Sequence, residues 1–417
     1  MVETRERTLL LLDDLDGERM MGPPLAIVNP LRWEIGHVAW FHARWSLRHA
    51  LGELPIRPDE DRLFDSAAIP HDTRWDLPLP SDSETFAYAA EVQSRIVLAL
   101  DSSRLDGDAL CFVRLGLFHE MMHAEAFTYT RQTLVYPPPA GFFERRLAAV
   151  TSAQPHLGDV EVPAGLYRIG AEPDESLFVF DNEKWAHDVR LEAFRIARAP
   201  VTNGEFAEFV DDQGYARDEF WDAHARAWRD GASAAHPVYW RRGFDGWERR
   251  EFDRWLPLGP NLPVLHVNVH EAEAYCRWAG RRLPSEAEWE VGSTGARAPA
   301  NLDSVNGGVV GVSLFGEGDS TFGCRQMLGN VWEWTATPLA PYPGFVIDPY
   351  REYSEPWFDG RHRVLRGGCW ATRADLLRRR DLLQRGDVLE CGDRLSWRNF
   401  YPVDRRDVFA GFRTCAM

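Results

Sequence analysis

The sequence predicts a two-domain α+β chain: a bundle of four helices over 1–150, then an irregular α+β domain over 155–417. Three observations carry this. Apolar residues recur at helical spacing through the first 135 or so residues. YPPPAGFF (Tyr136–Phe143) then breaks the pattern. Beyond it Gly, Trp and short strand-like runs dominate, with few long helical periods.

In the first part, Thr4–Leu15, Pro30–Leu51, Ser83–Leu100 and Asp108–Val135 each read as a helix. The loops between them, ELPIRPDEDRLFD and HDTRWDLPLPSDS, are rich in Pro and acids. Ser83 and nearby acids are expected to cap the third helix. Antiparallel packing of the four is the expected arrangement. In the second part, VEVPAGLYRIGAE reads as strand, turn, strand. GEFAEFVDDQG and VHEAEAYCRWAGRRLPSEAEWEVGS read as helices.

The 417 residues suffice for two ordinary domains, and 45% apolar content supports filled cores. The net charge of −17 argues against nucleic acid or an anionic membrane surface as partner. No run approaches the ~20 apolar residues of a membrane span. MVETRERTLLLLDDLDGE reads as an amphipathic helix and not a signal peptide, so the expected compartment is the cytoplasm. The six cysteines form no C-x-x-C pair and are expected as free thiols, although a disulfide stays open.

FHEMMHAEAF (Phe118–Phe127) is the candidate metal site. On a helix His119 and His123 share a face and can hold one ion. Glu125 lies about 200° further round from His123 and should stay out of the ligand set. The third ligand is then expected on another helix. His37, in the apolar run NPLRWEIGHVAWFHARW, is the choice, because an imidazole there needs a reason. His42 is the competitor, beside the more surface-like Ala43 and Arg44. Spacing alone does not choose between zinc and iron. HEMMH also matches a zinc-hydrolase pattern, with Glu120 as base.

The second domain carries GRRLPSEAEWE, MLGNVWEWT, VLRGGCW and FAGFR, together with FDNEKWAHDV and APVTNGEF. These resemble the formylglycine-generating-enzyme-type domain, a C-type-lectin-like fold. GHVAWF and H-x-x-x-H-x-E of the first domain resemble the DinB-like bundle of iron-dependent sulfoxide synthases. Both together resemble the ergothioneine-synthase family and its selenoneine-synthase relatives. The resemblance implies Fe(II) on His37, His119 and His123. It also implies O2 and hercynine as substrates, and C–S or C–Se bond formation on the hercynine imidazole.

The resemblance further implies that the second domain supplies substrate contacts from SWRNFYPVDRRDVFAGFR. Asn399 and Arg405 match the pattern of γ-glutamylcysteine users, whereas Phe400 stands for Trp and Tyr401 for Asp. Phe400 can face a trimethylammonium by cation–π attraction, and Asn399 can orient the same betaine. Met122 stands where those relatives carry a Gln that bonds hercynine. These departures point to a selenosugar donor and the selenoneine branch; cysteine or γ-glutamylcysteine is the alternative. Arg74 and Arg405 speak for a donor carboxylate, with a surface ion pair as the plain reading. Tyr350 and Tyr353 resemble the family tyrosines that can donate a proton near the reacting oxygen. Trp332 and Trp334 are expected in the core. A zinc hydrolase and a lectin-like binding module remain as other classes.

Overall fold

The computed structural model describes residues 1–140, 158–173, 178–378 and 395–417. The chain forms two compact units, Met1–Ala140 and Gly141–Met417. The expected connector at 150–155 and Cys391 lie outside the described residues. The described cysteines form no disulfide.

The first unit is helical. It comprises α1 (Val2–Leu10), α2 (Gly17–Met21), α3 (Leu31–His42), α4 (Glu60–Phe64), α5 (Asp82–Asp101) and α6 (Asp108–Thr133). The run expected as one helix from Pro30 to Leu51 changes character at Ala43, where Ala43–His49 winds as a π-helix. That wider winding lets both Trp45 and Leu47 turn inward. Helix α5 opens at Ser81 and not at Ser83. The Ser81 hydroxyl accepts from Glu84 N, and the Glu84 carboxylate accepts from Ser81 N. S-x-x-E spacing selects Ser81, since the residue three beyond Ser83 is Phe86.

A buried charged hub ties this unit together. Arg5 of α1 donates to both carboxylate oxygens of Glu120 on α6, at 2.7 and 3.0 Å, and to Ala89 O on α5. His42 of α3 donates from Nε2 to Glu120 at 2.9 Å. His42 is fully buried, contrary to the surface-like reading; only Arg44 beside it is exposed. Gly116 makes room, because a Cβ there would sit 2.5 Å from His42 Nδ1.

The second unit holds β1 (Asp159–Val162), β2 (Gly165–Ile169), β3 (His187–Leu191), β4 (Phe194–Ala197), α7 (Asn203–Asp211), α8 (Ala223–Gly231), β5 (Trp240–Gly243), β6 (Gly246–Glu251), β7 (Arg254–Pro257), α9 (Val269–Trp278), β8 (Arg281–Arg282), α10 (Glu286–Gly292), β9 (Trp332–Pro338), β10 (His362–Arg366), α11 (Ala374–Arg378), β11 (Asn399–Pro402), β12 (Ala410–Gly411) and β13 (Cys415–Ala416). Its sheets run β1-β4-β13-β8, β11-β10-β9-β12, β2-β3 and β5-β6-β7. The strands β1 and β2, adjacent in sequence, pair with β4 and β3 and not with each other. The run expected as one helix from Val269 breaks at Gly280, whose φ of +65° ends α9 in the left-handed region.

Four of the motif stretches meet in the core. Glu286 and Glu290 of GRRLPSEAEWE pair with Arg366 of VLRGGCW, and Arg398 also holds Glu286. Glu333 of the Trp-Glu-Trp strand pairs with Arg413 of FAGFR and accepts from Trp289 Nε1. Trp332 and Trp334 are fully buried, as expected.

Candidate metal centre

The centre is assembled by α3, α4 and α6. Helix α4 is a single turn, so its last carbonyls have no partner within the helix. Leu63 O accepts from Trp33 Nε1 at 2.7 Å, and Phe64 O accepts from His37 Nδ1 at 2.8 Å. Asp61 accepts from Trp40 Nε1 at 2.7 Å. Gly36 allows this close approach: a Cβ there would lie 2.2 Å from Phe64 Cε1. A carbonyl can only accept, so His37 carries its proton on Nδ1 and turns the Nε2 lone pair to the site. Trp33 stacks on the imidazole at 5.0 Å and 6°, and Trp40 lies at 5.6 Å on the same helix.

His119 and His123 project from one face of α6. Phe41 stacks on His119 at 3.6 Å and 7°. His123 donates from Nδ1 to Glu34 at 2.6 Å, which likewise leaves Nε2 free. His37 Nε2 and His119 Nε2 lie 3.3 Å apart. One ring nitrogen from each of the three falls within 4.8 Å of the others, and among the described residues this is the cluster able to hold a metal. Burial, then the neighbouring His123, push His37 and His119 well below the ordinary imidazole range. Both are therefore neutral, as metal ligation requires. Two defined tautomers and convergent lone pairs fit a mononuclear ion held by three imidazoles.

Glu120 does not serve this cluster as a base. Its carboxylate is taken by Arg5 and His42, and these partners hold it ionised far below the usual carboxylate range against the opposing cost of burial. That removes the zinc-hydrolase reading of HEMMH. Glu125 is buried on α6 outside the three-His set. Met122 is half-buried, one residue before His123.

Arg74 is not a surface ion pair. It is 9% exposed, its guanidinium lies 3.9 Å over the Trp33 ring, and Nη1 donates to Asn29. Nη2 reaches only the backbone carbonyls of Ser66 and Ile69, and Nε is buried without a partner. Burial pushes its pKa down to about 10, with the charge of Glu34 opposing. Arg74 and His37 thus both lie against the Trp33 ring.

The remaining predicted residues lie in the second unit. Tyr353 stacks on Phe180 at 4.2 Å, accepts from Trp397 Nε1 at 3.2 Å and meets the Phe400 ring at 6.2 Å. Burial raises its pKa well above the ordinary phenol value. Tyr350 lies 6.2 Å from Tyr353, ring to ring. Phe400 also meets Trp357 and His362. Strand alternation puts Phe400 on the opposite face of β11 from Asn399 and Tyr401. The Asn399 side-chain carbonyl accepts from Phe400 N. Arg405 is clamped by Asp407 through two bonds of 2.7 Å, with the Tyr401 ring 5.2 Å away.

Sequence reasoning missed Glu34, Trp33 and Phe64. Glu34 was legible as the residue three before His37, on the same face of α3. Phe64 carried no signal, because it acts through its backbone.

Comparison with known proteins identifies relatives. The Sulfatase-modifying factor enzyme 1-like domain family matches residues 146–306 and 298–416. The hercynine oxygenase of Mycolicibacterium thermoresistibile is 35% identical, over 99% of this chain and 93% of its own. That of Mycobacterium tuberculosis is also 35% identical, over 99% and 96%. The formylglycine-generating enzyme of Mycobacterium tuberculosis is 34% identical over 46% of this chain and 76% of its own. The chain belongs to the hercynine oxygenase family of oxygenase-type enzymes, and its C-terminal part is a Sulfatase-modifying factor enzyme 1-like domain.

Proposed function

We propose that the chain uses Fe(II) and O2 to join a thiol sulfur to the imidazole ring of hercynine, giving a sulfoxide. A ring C–H and a thiol S–H break, C–S and S–O bonds form, and the second oxygen atom leaves as water. The observation that carries this is the cluster of His37, His119 and His123 in a relative of the hercynine oxygenases. Iron(II), when bound, supplies the O2 activation that imidazole and thiol lack. The three histidines would hold it through ring nitrogens, with His37 and His119 kept neutral by burial. Tyr353 keeps its phenolic proton at neutral pH and can give it up at Oη, and Tyr350 is its neighbour in that role. Phe400 offers a ring face to the trimethylammonium group. Asn399 and Tyr401 present polar atoms from the other face of β11.

Donor choice turns on Arg74. A buried guanidinium without a carboxylate partner among the described residues suits a donor that brings one. This supports cysteine or γ-glutamylcysteine over the selenosugar expected from the sequence. The curated relatives, named for hercynine oxygenation, favour the same side. Met122 and Tyr401 keep the selenosugar as a second reading, since neither reproduces the pattern of γ-glutamylcysteine users. Arg405, already paired with Asp407, has less to offer an incoming carboxylate.

The test is anaerobic loading with Fe(II) and hercynine, then O2, with cysteine, γ-glutamylcysteine and a selenosugar in competition. A sulfoxide from a thiol donor is expected, with no product without O2 and none from His119→Ala. Preferred selenium incorporation would reverse the donor assignment. Turnover with zinc in the absence of O2 would sink the oxygenase reading.

A further inference from the structure

We propose that Glu34 is a positioning residue of the metal centre, fixing His123 in the tautomer and ring orientation that ligation needs. The inference rests on the metal reading of the triad. The three ligands are restrained unequally. His37 is fixed by Phe64 O and lies against Trp33 and Trp40. His119 is 5% exposed and flat against Phe41. His123 has neither device. Its side chain is 19% exposed, and its ring neighbours are His119 and His37, tilted or edge-on, and Phe127 at 6.5 Å. Its polar restraint is the 2.6 Å bond to Glu34, whose side chain is 1% exposed.

Glu34 lies three residues before His37, so α3 supplies one ligand directly and anchors a second across to α6. A carboxylate accepting Nδ1–H raises the basicity of Nε2 and adds negative charge beside a dication. A strut between helices would need neither effect. Metal binding therefore separates the two roles where stability does not.

The experiment titrates Co(II) into the metal-free full-length protein and follows affinity and the d–d spectrum. Wild type, His119→Ala, Glu34→Ala and Glu34→Gln are compared, with thermal melts of each metal-free form. Wild type is expected to bind one Co(II), and His119→Ala to lose it. Glu34→Ala should weaken binding about 10–100-fold and change the spectrum. Glu34→Gln is isosteric and keeps an acceptor oxygen, so it should fold even where Ala does not, with a smaller loss in the same direction. Either Glu34 variant matching wild type in both affinity and spectrum overturns the proposal. Absence of Co(II) binding in wild type would instead overturn the metal centre, and the proposal with it.

Discussion

Gly36 shows how much of the centre depends on single side chains. Its missing Cβ lets the Phe64 ring lie on α3, and that approach delivers Phe64 O to His37. Gly36→Ala is expected to cost about 1–3 kcal/mol in denaturant unfolding, because a buried ring must move, and to weaken metal binding as well. Arg74 makes a prediction of a different kind. Arg74→Leu should raise KM for γ-glutamylcysteine about 10–100-fold with little change in kcat, the mark of lost uniform binding. An uncharged donor should be nearly indifferent to the change. At this scale the sequence was readable where chemistry was unusual. An imidazole amid Trp, Ile, Val and Phe pointed to His37. Glu34 was not singled out, and His42 was judged by its neighbours Ala43 and Arg44, of which only Arg44 is exposed.

Periodicity found the long elements and mistook their ends. Helix α5 is capped at Ser81, where side chain and backbone exchange bonds with Glu84. Ser81→Ala is expected to cost about 1 kcal/mol, and Ser83→Ala much less, by urea unfolding. Helix α4 lay hidden in a loop rich in Pro and acids, since five residues are too short to show a 3.6-residue period. Its contribution is nonetheless decisive, because its unpaired carbonyls orient Trp33 and His37. The π-helix after His42 was equally unreadable: an extra residue per turn leaves the apolar spacing nearly helical while shifting which side chains turn inward.

Across the molecule, the motifs that betrayed the second unit are largely its buried ion pairs. Glu286, Glu290 and Glu333 face Arg366, Arg398 and Arg413. Arg413→Met strands Glu333 and should cost about 3–5 kcal/mol, measured by thermal or denaturant unfolding. The sheet order of this unit was not legible, because β1 skips its neighbour β2 and pairs with β4. Acid should also weaken this unit. Burial, then the charge of Arg250, push His266 down to about 3, and burial takes His270 to about 4. A histidine depressed in the folded state stabilises fully above its unfolded value near 6.5 and loses that stabilisation as pH falls toward its folded value. Melting temperatures should therefore drop as pH falls below about 6.5 toward 4, the His266 contribution approaching about 1.4 kcal/mol per pH unit in the lower part of that window. His266→Gln should flatten the slope. The uneven enclosure of the triad has a kinetic side. With His37 and His119 walled in and His123 partly exposed, His123 is the member of the triad freest to let go of an ion that the three would hold. Residence time, and not equilibrium affinity alone, is then governed by how often His123 swings away from Glu34.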